Sequence, residues 1–401
     1  MEKSIRPDKE SVFDKKMQLI RNKETIGIYC FYMAMFLYSL VMIVGHSAWE
    51  IPYRGRLLQI GFILCCLKIV VTKYSVKEWI FMILLGILGV ASYLIISQDY
   101  VISIVVMIFA AKAVHMKPVI KWILYGTLLG VVCIVILSLF HVGGVIVDIR
   151  DYGRGGVESR WCLGFSHANN LHGTLWYITA MLVYLYFKKM KWTHYLVISV
   201  LNIGLYMLTL SRTGMFVIQI VIIAACILCY WPKIAKEIWI YLLGEICIVA
   251  AMVLSLVSVT IPKENSPLLQ LFDNFLTGRI VLAYKGANIV NWRLLSHAGE
   301  LGEVDNGWVT TFFNYGYLVG IVFVAVQIYL IYIAYKRRNG IYLVILVTNA
   351  FYTLMEATYT MNGAYYLCNL SYVVAMLMMG EKYESEGFKG ENKGDIFGTV
   401  G

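Results

Sequence analysis

W-I-F-M-I-L-L-G-I-L-G-V-A-S-Y-L-I-I-S, residues 79–97, decides the fold class. It holds no charged residue and is long enough to cross a bilayer as a helix, since about 20 apolar residues span the hydrocarbon core. Such runs recur along the whole chain. Of 401 residues, 60% are hydrophobic and only 14% charged, where a soluble chain carries about a quarter. The mean hydropathy is +0.72. These values predict an all-α polytopic membrane protein. A transmembrane barrel would show short alternating segments instead.

Twelve spans are predicted, at about 25–45, 56–72, 79–97, 100–114, 119–141, 169–187, 194–211, 213–231, 237–260, 307–335, 340–356 and 361–380. Residues 1–24 are polar and basic, and no cleavable signal peptide is visible. With the amino terminus inside, both termini are cytoplasmic, and a polar tail runs from 381 to 401. Residues 25–380 then form one transmembrane domain. Its two long loops, about 142–168 and 261–306, lie outside, and the second reads as short amphipathic helices on the membrane surface. The basic residues support this orientation, 23 falling inside and ten outside. The net charge of +10 is thus read as loop cations that set topology and not as a nucleic-acid surface. The nine cysteines give no disulfide framework: all but Cys162 fall in apolar runs.

The kind of cation matters more than the number. Eight of the ten outside are arginine: Arg54, Arg56, Arg150, Arg154, Arg160, Arg212, Arg279 and Arg293. Inside, only four of 23 are. Lysine suffices for orientation. Arginine suits phosphate or carboxylate, which its planar fork grips in bidentate fashion without deprotonating. Pairing with the nearby acids Asp148, Asp151 and Glu158 is the plainer account of some of them.

Three polar clusters abut apolar runs. In G-F-S-H-A-N-N-L-H, 164–172, spacing places His167 with Asn170 and Asn169 with His172 on shared helix faces. The two histidines diverge by about 140°, against one shared metal. Capping alone, or hydrogen bonds to a sugar or phosphate, are the readings left open. L-S-R-T-G, 210–214, joins two apolar runs and needs no arginine for a tight turn. Arg212 there is either a snorkelling cation or an anion ligand. The third cluster, before the tenth span, holds His297, Glu300, Glu303, Asp305 and Asn306. Asp305-Asn306-Gly307 reads as a helix cap, and Glu303-x-Asp305 as a possible dyad for a metal.

Taken in order, G-F-S-H-A-N-N-L, L-S-R-T-G, T-G-R-I-V-L-A-Y (277–284), D-N-G-W (305–308) and Y-G-Y-L-V-G (315–320) resemble the O-antigen and capsular polysaccharide polymerase family (Wzy), which is related to the O-antigen ligases. The resemblance covers about 160–320. It implies a metal-independent membrane glycosyltransferase of GT-C-like architecture. Such an enzyme joins repeat units carried on undecaprenyl pyrophosphate at the outer face of the bacterial cytoplasmic membrane. It implies no cofactor. The implied partners are lipid-linked donor and acceptor, the bilayer, a chain-length regulator and a flippase, with no nucleic acid. By this resemblance Arg212 and Arg279 bind pyrophosphate, and His167 and Asn169 position substrate. Arg160 and Arg293 join them as outer arginines on the two loops. Asp305 stands where the ligases place a histidine, which favours polymerase over ligase. The proton acceptor is expected to be Asp305, with His297 and Glu303 as the other candidates. The rival readings are a ligase and a lipid-oligosaccharide flippase. A flippase would place ionisable groups near the midplane; few are found there, and Lys68 and Glu245 lie toward the cytoplasmic ends of their spans.

Overall fold

The computed structural model describes residues 9–49, 52–97, 99–151, 156–275, 278–287, 293–295 and 304–356. The last predicted span, 361–380, lies outside them. Among these residues thirteen α-helices follow one another: α1 (Lys9–Val44), α2 (Arg54–Val71), α3 (Val76–Ile96), α4 (Tyr100–Ala110), α5 (Met116–Leu139), α6 (Ala168–Tyr186), α7 (Trp192–Thr209), α8 (Arg212–Tyr230), α9 (Ile238–Thr260), α10 (Pro267–Phe275), α11 (Arg279–Ala287), α12 (Gly307–Lys336) and α13 (Gly340–Met355). Seven are long and apolar enough to cross a membrane: Lys23–Val44 of α1, then α3, α5, α7, α8, α9 and α12. The chain is therefore a multi-pass helical membrane protein. Helices also occupy the other predicted spans among the described residues. However, α4 and α13 are short, α2 carries Arg54, Arg56 and Lys68, and α6 opens on a polar turn.

Local signals set many of the ends. Ser75 and Glu78 close a reciprocal capping box at the start of α3. Asn339 caps α13 through Tyr342 N. The helices gather in two groups: α1, α2, α4 and α5 with α3 beside α4, then α6–α9 with α12 and α13. Large rings fill the second group, Trp176 against Tyr352 at 4.9 Å and Trp308 against Phe323 at 5.5 Å. Within it, His172 hydrogen-bonds Thr209 Oγ1 and Asn202 Oδ1, both at 2.9 Å. Asn202 Nδ2 continues to the Met215 carbonyl and Gln219. This network ties α6, α7 and α8 together with its polar atoms satisfied, as a buried position demands. Gly214 completes it, because a Cβ there would stand 2.6 Å from the His172 ring.

Beside the helices, the loop after α5 forms an antiparallel hairpin, β1 (Val147–Asp151) with β2 (Val157–Trp161). Alternation sends Asp148, Arg150, Glu158 and Arg160 to one face. There they pair as Arg150–Asp148 at 2.8 Å and Arg160 Nε–Glu158 at 2.9 Å. The segment after β2 is fastened to the turn after α1: Ser166 donates through both N and Oγ to the His46 carbonyl.

Two short helices, α10 and α11, occupy the later loop, as its amphipathic pattern predicts. α12 is interrupted. Gly316 has φ 83 and ψ 168, roughly 14 Å along the helix from its start. Residues 293–295 run alongside the break, and Tyr317 N and Leu318 N donate to the carbonyls of Arg293 and Leu294 at 3.1 and 3.0 Å. The remaining 317–336 stretch is about 30 Å long, the thickness of the hydrocarbon core.

Candidate active site

The amino ends of α6, α8 and α12, the carboxyl ends of α9 and α13, and helix α11 meet at the end of the bundle that carries the two long loops. Arg279 is the first residue of α11. Its place is set by Asp273, a carboxylate only 2% exposed. Asp273 Oδ1 accepts from Ile280 N and Val281 N, and Oδ2 binds Lys263 Nζ at 2.8 Å. This is an acidic cap at a helix amino terminus, favoured by the dipole. The turn into α11 uses Gly278 at φ 84, a value that glycine adopts without steric cost.

So fixed, Arg279 reaches two carboxylates. Its Nη2 donates to Glu356 Oε1 at 2.9 Å, and its Nη1 stands 3.6 Å from Asp305 Oδ2. The second distance is an ion pair but too long for a hydrogen bond. Nη1 is buried without a hydrogen-bond partner among the described residues. Burial opposes the guanidinium charge, but Glu356 and Asp305 outweigh it and raise the Arg279 pKa. Glu356 directly follows α13, and its Oε1 also accepts from Asn169 Nδ2 at 3.0 Å. One carboxylate oxygen thus joins α6, α11 and the end of α13.

Asn169 owes its place to His167, the residue preceding α6. His167 Nδ1 accepts from Asn169 N at 3.1 Å. The imidazole is neutral at ordinary pH, because burial, with Arg150 and Arg160 adding to it, lowers its pKa to about 4. Asp305 pulls the other way, which brings the ends of the two long loops within electrostatic reach. Neither predicted same-face pairing forms. His167 lies outside the helix, so Asn170 turns to Ser166 Oγ at 2.9 Å, and His172 faces α7. Asn306 caps α12 through Trp308 N and Val309 N and donates to Ser255 Oγ at 3.0 Å, which ties α12 to α9.

The remaining expected residues fare differently. Arg212 opens α8, exposed, and its side chain makes no ion pair or hydrogen bond among the described residues. It begins α8 near the level of Asn169, since Gly214 two residues on touches the His172 ring. Arg293 is exposed, with its backbone anchored at the α12 break. Arg160 is 2% exposed and taken by Glu158, the pairing that its acidic neighbours foreshadow. His297 and Glu303 lie outside the described residues. Among the described residues, no three His, Cys, Asp or Glu side chains gather as a metal site would require.

Glu356 was missed by sequence reasoning. The signal was present: one carboxylate closes a strongly apolar helix, and ionisable groups at such positions are costly unless they have a partner. Comparison with known proteins adds nothing to this site: no protein family, curated protein or solved structure matches the chain.

Proposed function

We propose that this protein is a polysaccharide polymerase. It transfers a growing glycan from an undecaprenyl-pyrophosphate donor to a sugar hydroxyl of another lipid-linked repeat unit, at the outer face of the bacterial cytoplasmic membrane. The observation that carries this reading is the meeting of Arg279, Glu356, Asp305 and Asn169 at one end of a membrane-embedded bundle. Displacing a pyrophosphate requires positive charge where the leaving oxygens gain electrons. It also requires a carboxylate or imidazole to receive the acceptor's proton. Arginine and carboxylate stand together here. Arg212 and Arg279 hold the pyrophosphate, His167 and Asn169 position substrate, and Asp305 heads the expected proton acceptors. Polyprenyl tails on both substrates call for a site open to lipid, and a loop end at the membrane surface meets that need. A chain-length regulator and a flippase are the partners such a reaction implies.

Elongation is the decisive test. The purified full chain, mixed with lipid-linked repeat unit extracted from cells lacking it, should yield a ladder of longer lipid-linked glycans. Transfer to a different acceptor would make it a ligase, and movement of the lipid across vesicles without chemistry would make it a flippase.

The proposed topology has twelve spans with both termini cytoplasmic. An impermeant thiol reagent applied to intact cells should label a cysteine introduced at Ser266, between α9 and α10, and should not label one at Ser385. The reverse pattern would overturn the orientation.

A further inference from the structure

Among the described residues, Asp273, Asp305 and Glu356 stand around the start of α11, and their surroundings differ. Asp273 is consumed by the α11 cap and Lys263. The Asp305 side chain is 54% exposed, and its nearest charged partner is 3.6 Å away, so solvent screens it and no hydrogen bond among the described residues holds it. The Glu356 side chain is only 13% exposed. Its Oε1 is held by Arg279 and Asn169 from two different elements, while Oε2 makes no hydrogen bond among the described residues. One oxygen fixed by two donors and the other without a hydrogen bond among the described residues is an arrangement that suits a positioned base, because geometry comes before basicity in proton transfer. Low solvent access also strengthens the interaction of that oxygen with a nearby proton.

Resting on the glycosyl-transfer reading, we propose that Glu356, in place of the Asp305 expected from sequence, is the catalytic base, with Arg279 and Asn169 as its positioning residues. The acceptor oxygen forms a bond to the anomeric carbon of the donor sugar as its proton passes to Glu356 Oε2. The bond from that carbon to the pyrophosphate oxygen breaks, and the electron pair leaves with the pyrophosphate. Arg279 serves both sides of this step. Nη2 steadies the base, while Nη1, buried and without a hydrogen-bond acceptor among the described residues, is placed to meet the charge growing on the leaving group.

The charge balance yields an uncommon signature. One guanidinium faces two carboxylates, so the trio carries a net negative charge before substrate arrives. Neutralising Glu356 should therefore help an anion bind even as it stops the reaction. In the full-length protein in detergent, Glu356→Gln retains an oxygen that can accept from both Arg279 and Asn169, and it should fold. It should bind farnesyl pyrophosphate, the probe, at least as tightly as the unaltered chain. Elongation should fall by about 10²-fold or more. Asp305→Asn, which removes an exposed carboxylate 3.6 Å from Arg279, should lower elongation less than Glu356→Gln does. Normal elongation by Glu356→Gln, or its survival while Asp305→Asn is dead, overturns the proposal. If Glu356→Gln does not fold, Glu356→Asp withdraws the carboxylate by one methylene, and an undiminished rate in that variant overturns it equally. If the unaltered chain neither binds the probe nor elongates, the glycosyl-transfer reading fails and takes the proposal with it. Probe binding without elongation by Glu356→Gln leaves that reading intact and supports the base.

Discussion

Arg279→Lys lowers elongation by about 10²-fold or more, the scale for removing one donor aimed at developing charge. The guanidinium engages Glu356 through Nη2 while its other edge faces Asp305. An ammonium is a point charge and cannot hold a base and meet a phosphate from two edges of one plane. Arg279→Gln does more damage. It leaves Glu356 with Asn169 alone, and breaking a buried pair by removing one partner costs about 3–5 kcal/mol. That loss falls on the contact joining α11 to the end of α13, so this variant should also aggregate at lower temperature. Arg212 provides the contrast. It is exposed and its side chain is unpaired among the described residues, so Arg212→Lys should lower elongation without altering thermal stability. Elongation is read at matched protein amount, and stability by size-exclusion retention after heating. Full activity in Arg279→Lys would return that arginine to a purely structural ion pair.

Gly316→Ala should also impair folding strongly. At φ 83 and ψ 168 the backbone lies in a region essentially confined to glycine, where an L residue costs about 1–3 kcal/mol. The added Cβ would also stand 2.5 Å from the Leu295 carbonyl carbon. Backbone cannot step aside as a flexible side chain does, so residues 293–295 would have to withdraw. The Tyr317 N–Arg293 O and Leu318 N–Leu294 O hydrogen bonds would go with them, each worth about 1 kcal/mol. The total is about 3–5 kcal/mol, and Arg293 is released from its anchored position. Gly204, in α7, is the control. Nothing lies within 4 Å of where its Cβ would be, so alanine there should be neutral or mildly stabilising. Equal melting of the two variants would show that the loop segment contributes nothing to the break.

The sequence by itself determined the solvent, the helices and most of their ends. Transfer of a segment into lipid is close to a sum over its own residues, so 79–97 declares itself without reference to anything else. The caps themselves are equally local: Ser75 reaches Glu78, and Asn306 Oδ1 accepts from Trp308 N and Val309 N. Tertiary structure alone decided which arginines were already spent. Asp148 and Glu158 lie two residues from Arg150 and Arg160, yet only the hairpin's alternation sets them face to face. It decided that His172 binds α7 rather than Asn169, because packing of α6 on α7 and α8 chooses the partner and helix period supplies only the face. It decided that Gly316 breaks α12, because the reason is a strand of loop alongside it. Above all, it brought Glu356 to Arg279 across 77 residues and to Asn169 across 187. A contact between such distant positions depends on how whole helices pack, and no window of sequence carries that information.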